Sequence, residues 1–81
     1  MHKNREFSIR DISEYAQSLG YTLQFQRYKR VFTLRRLSSP EEWGWMYLPK
    51  EPGQLIELVD DLTFDEWKDA VKKTIKSIES R

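Results

Sequence analysis

Cysteine is absent from this chain, so neither a disulfide nor a thiolate–metal site can brace its fold. That absence suits a reducing compartment, and the expectation is a cytoplasmic protein. Histidine occurs once, as His2, leaving almost no imidazole for acid–base work. No serine stands in a Gly-x-Ser-x-Gly elbow. Glycine is scarce: residues 20, 44 and 53 stand alone, so no glycine-rich loop can cradle a phosphate. Every apolar run is far too short to cross a bilayer. The first residues, Met1 to Glu6, are charged and contain no apolar core of a signal peptide. These absences lead us to expect a non-enzymatic protein with no cofactor, no metal and no membrane partner.

Two acidic groups bear on that expectation. Asp60, Asp61, Asp65 and Glu66 offer oxygen ligands, but they lack the spacing and glycine of a calcium-binding hand. They read as the acidic opening of a helix. Glu41 and Glu42 read as a solvated loop and not as an acid–base pair.

Aromatic residues are what the chain does have, with three tryptophans, four tyrosines and four phenylalanines in 81 residues. A chain of this size forms one domain with little stability to spare, and large rings are its main driving force for burial. The net charge is only +1, yet the signs are segregated. From residue 16 to 40 every charge is basic: Arg27, Lys29, Arg30, Arg35 and Arg36. From residue 41 to 69 acids dominate, with Lys50 and Lys68 the only cations. Such a dipolar surface either steers a charged partner or is self-complementary.

Residues 63–80 are the most legible stretch. Thr63 and Glu66 form a capping box, and Leu62 and Trp67 can close a hydrophobic staple over it. Phe64, Trp67, Val71, Ile75 and Ile78 recur at helical steps as one apolar stripe. A first helix is expected over 8–19, capped by Ser8 with Asp11 at the box position. Phe7 would staple onto Ile12, the buried stripe would be Ile9, Ile12, Ala16 and Leu19, and Gly20 would supply the left-handed stop.

Between the helices, Tyr21, Leu23 and Phe25 alternate with Thr22, Gln24 and Gln26, and Phe32 and Leu34 alternate with Val31, Thr33 and Arg35. A four-residue loop over 27–30 sets Phe25 opposite Phe32 and Leu23 opposite Leu34, all on one face. A third strand is expected over 43–48, where both faces are apolar. After a turn at Pro52-Gly53, residues 55–59 read two ways: as a strand with Ile56 and Leu58 facing in, or as a helical turn with Leu55, Leu58, Val59 and Leu62 on one face. The β-branched Ile56 and Val59 favour the strand, a fourth one paired with the third. That pairing favours Trp43, Trp45 and Tyr47 turned inward. The expected fold is α+β, in the order α-β-β-β-(β)-α: a loose tail over 1–6, then one domain over 7–81 with both helices on one face of an antiparallel meander.

This layout resembles that of double-stranded-RNA-binding domains and of small toxin domains sharing their fold. The motifs of those families are missing. There is no Gly-Pro-x-His loop, and Asp65-Glu66 opens the last helix where the RNA-binding domains carry a Lys-Lys-x-Ala-Lys run. No histidine follows His2 to match the toxins' catalytic one, so no functional residue is carried over.

Two functional readings follow. In the first, the chain is a protein-interaction or self-association module, pairing through the edge of the fourth strand. Leu37, Leu55, Glu57 and Val59 are then its contact residues. In the alternative, Arg27, Tyr28, Lys29 and Arg30 at the hairpin tip, with Arg35, contact nucleic acid. The plainer account of the tip is a solvated turn. If Trp43, Trp45 and Tyr47 faced outward, however, the outer sheet would make a stacking platform for single strands.

Overall fold

The computed structural model describes residues 7–81. The tail expected over 1–6, with His2, lies outside the described residues. The elements run α1 (Ile9–Ser18), β1 (Tyr21–Gln26), β2 (Val31–Arg36), β3 (Trp43–Trp45), β4 (Tyr47–Leu48), β5 (Glu51–Leu55), a 3-10 turn (Val59–Asp61) and α2 (Phe64–Glu79). The fold is α+β, with two helices, a three-stranded antiparallel sheet β1-β2-β3 and a two-stranded ribbon β4-β5.

Both helix starts form where the capping residues stand. The Glu66 backbone N–H donates to Thr63 Oγ1 at 3.2 Å, and the Thr63 N–H donates to Glu66 Oε1 at 2.9 Å. At α1 the Ser8 N–H donates to Asp11 Oδ2 at 2.9 Å. Gly20, at φ 87°, ends that helix in the left-handed region open to glycine.

The first hairpin has the expected register, with Leu23 opposite Leu34 and Phe25 opposite Phe32. Phe32 and Leu34 then meet both helices in one core with Ile12, Ala16, Met46, Ile56, Trp67, Val71 and Ile78. Trp67 anchors it. Its ring is fully buried, lies edge-on to Phe32 at 5.1 Å, and donates its indole N–H to the Val59 carbonyl at 2.9 Å. The α1 stripe is narrower than expected: Ile12 and Ala16 are buried, but Ile9 and Leu19 are exposed. Phe7 stacks on Phe64, with centroids 5.4 Å apart, linking the two helix starts.

The second half of the sheet departs from expectation. The third strand divides at Met46, whose carbonyl turns from the sheet to accept the Ile56 N–H at 3.0 Å. The Ile56 carbonyl in turn accepts the Phe32 N–H at 3.2 Å, and the Met46 N–H reaches the Phe32 carbonyl at 3.1 Å. This three-way exchange lets the chain leave one sheet and start another without stranding a buried amide. Pro52 and Gly53 lie within β5 and not at a turn; the chain reverses at Pro49-Lys50. The strand expected over 55–59 is therefore corrected. It ends at Leu55, Ile56 is buried, Leu58 is exposed, and Val59 opens the 3-10 turn.

Candidate nucleic-acid interface

The three-stranded sheet carries both helices on one face, and the site is its other face. Register decides which side chains lie there. Trp43 stands opposite Arg35, Gly44 opposite Leu34, and Trp45 opposite Thr33. Directly paired residues share a face, so Gly44 points to the core and both tryptophans point away from it. The inward orientation expected for these rings is overturned, and the reason is Gly44. A Cβ built there would meet Ile78 Cγ1 at 3.3 Å and Arg81 Nη2 at 3.1 Å, so the C-terminal end of the chain passes close enough that any side chain would force these neighbours to shift.

On the helix-free face the two indoles meet edge to face, with centroids 5.2 Å apart and planes at 77°. Both remain partly exposed. Arg35 lies over the Trp43 ring at 5.9 Å and Lys29 over the Trp45 ring at 5.8 Å, each a cation held by the ring's negative face. Arg35 is further fixed by an Nε–H bond to Gln24 Oε1 at 3.0 Å and by its Nη1 on the Pro40 carbonyl. Gln26 donates to the Thr33 hydroxyl at 3.0 Å. These bonds order the surface between the strands.

The hairpin tip adjoins this face. Its loop over 27–30 closes with an Arg30 N–H bond to the Gln26 carbonyl, and Arg30 takes φ 58°, unusual for a residue with a side chain. Tyr28 is 89% exposed. Among the described residues no carboxylate pairs with Arg27, Lys29, Arg30 or Arg35. The neighbouring Arg36 is different. It lies on the helix side, bonded to Glu42 Oε1 at 2.9 Å, and that carboxylate pushes its pKa up. Burial likewise pushes up the pKa of Tyr21, which sits beneath Arg36 and donates to Glu79 Oε2 at 3.3 Å. One arginine of the pair serves the fold and the other the open face.

Of the residues expected from sequence to touch nucleic acid, Arg27, Tyr28, Lys29 and Arg30 form the tip and Arg35 the sheet face beside it. Trp43 and Trp45 join them. The signal that could have placed the rings was Gly44 itself, a small residue between two large ones in a strand that a helix must cross closely. The residues expected for protein contact do not form one strand edge. Leu37 is exposed in the bend after β2, Leu55 ends β5 half-buried, Glu57 is exposed in coil, and Val59 packs on the core. The Ile56 peptide, which was to lie mid-edge, is already bonded through both its N–H and its carbonyl.

Among the described residues no group of acids and histidines is placed to hold a metal ion, and no helix is long and apolar enough to cross a membrane. The chain matches no protein-family model, no curated protein and no solved structure.

Proposed function

We propose that this chain is a non-enzymatic nucleic-acid-binding module of the cytoplasm, working through the helix-free face of its sheet and the adjoining hairpin tip. One observation carries the reading: two partly exposed indoles each lie under a cation, Arg35 over Trp43 and Lys29 over Trp45, and among the described residues no carboxylate pairs with either cation. Cations engage phosphates and gain by releasing condensed counterions, while ring faces engage bases. Cysteine's absence fits the compartment.

The test is an anisotropy titration of labelled oligonucleotides against wild type and an Arg27/Lys29/Arg30→Ala variant. Wild type should bind at low salt, with affinity falling as salt rises. The variant should bind far more weakly, its log K against log salt slope shallower by roughly 2 for three lost phosphate contacts. Absence of binding at low salt would remove the reading.

A second reading, self-association, is favoured by Leu37, an apolar residue left 53% exposed beside the sheet. Sedimentation across concentration, with Leu37→Lys for comparison, tests it. A monomer at every concentration would dispose of the dimer.

A further inference from the structure

The two indoles are not equivalent, and the difference points to a form of ligand. The roof over Trp43 is anchored: the Arg35 guanidinium is pinned by Gln24 and by the Pro40 carbonyl. The roof over Trp45 is Lys29, an ammonium on a flexible four-carbon stem in the hairpin loop, and among the described residues no carboxylate holds it. A flat ligand can displace the lysine and not the arginine. The displaced ammonium stays within reach of a phosphate flanking that ligand.

Ring orientation narrows the choice further. Planes at 77° cannot both be matched by neighbouring bases of a duplex, which lie parallel and present only their edges in the grooves. To offer a face, a duplex base must first be extruded, at a cost of a few kcal/mol. A single strand offers its base faces freely. One base can lie on Trp45, with Trp43 packed against that indole at 77° to hold it upright and the Arg27 and Arg30 cations following the backbone.

We propose that the face takes a single strand in preference to a duplex, and that one unpaired base stacks on Trp45 in place of Lys29 while Trp43 acts as the positioning ring. This rests on the nucleic-acid reading above. The experiment compares three probes at low salt: a short oligothymidine, an abasic strand of equal length and charge, and a duplex of equal length. Wild type should bind oligothymidine about 10-fold more tightly than the abasic strand. Trp45→Ala should erase that difference while keeping the affinity for the abasic strand, which also reports that the variant is folded. Trp45→Phe should retain most of it, and it serves as the deciding variant if the alanine protein does not fold.

Equal binding of the abasic strand and oligothymidine by wild type would overturn the stacking proposal and leave the broader reading standing. So would tighter binding of the duplex, or a Trp45→Ala protein that still prefers oligothymidine. If wild type binds none of the three, both fall together.

Discussion

The two faces of the three-stranded sheet are built from the same kinds of residue and put to opposite uses. On the helix side Trp67 is sealed, its indole N–H spent on a backbone carbonyl and its ring wedged against Phe32. On the open side Trp43 and Trp45 are only partly covered, and a cation lies over each ring. The contrast teaches that a tryptophan's role here follows from the neighbour that reaches its face. An apolar ring and a spent N–H make Trp67 core; a cation over the ring leaves Trp43 and Trp45 partly exposed.

The sharpest way to break that contrast is to remove one ring from each side. Trp67→Ala should cost about 3–5 kcal/mol, because it opens a cavity where three elements meet. Trp45→Ala should cost less, about 1–2 kcal/mol, the ring being only partly covered. Urea denaturation midpoints of the two variants measure the difference, and similar losses would mean that the faces are not distinct.

Next in size is Gly44→Val, which drives branched carbons toward Ile78 and the Arg81 guanidinium. Overpacking of this kind should cost roughly 1–3 kcal/mol. It should also loosen the 2.6 Å bond from Arg81 Nη1 to the Trp43 carbonyl, visible as a shift in tryptophan emission. Smaller again is Thr63→Ala, which removes one side of the α2 capping box at about 1 kcal/mol and should leave oligonucleotide binding unchanged.

The smallest effect is one of pH. The Thr63 backbone N–H that it accepts holds the Glu66 carboxyl below the usual carboxylate range, and Lys50, 3.5 Å away, adds to this. A carboxylate favoured by folding contributes stability that is complete above its unfolded pKa and is lost as pH falls through the folded one. Glu66→Gln should therefore be less stable than wild type at neutral pH, and the gap should close in acid. Denaturation midpoints followed down the pH scale would show it.

Much of the fold was legible because local signals agreed. The Thr63–Glu66 box and Gly20 mark helix boundaries by chemistry that needs no tertiary context. The first hairpin followed from two alternating runs whose core sides match in a single register. The run from Trp43 to Leu48 was opaque for the opposite reason: it is apolar on both sides, so periodicity carries no orientation. The break at Met46 and the burial of Ile56 depend on a hydrogen-bond exchange with Phe32, distant in sequence, which no local pattern announces. Within the site, the basic residues of the tip stood out as a run of one sign. The tryptophans were a conditional part of it, and the register that sets Gly44 on the core side turns them onto that face.

The exchange among Phe32, Met46 and Ile56 has a kinetic corollary. Each of the three amide protons is tied to a carbonyl of another member of the set, so none can be released by fraying of one ribbon alone. They belong to a single cooperative unit spanning both sheets. In deuterated buffer these three protons should be replaced in concert and among the slowest in the molecule, while those of the loop over 27–30 vanish early.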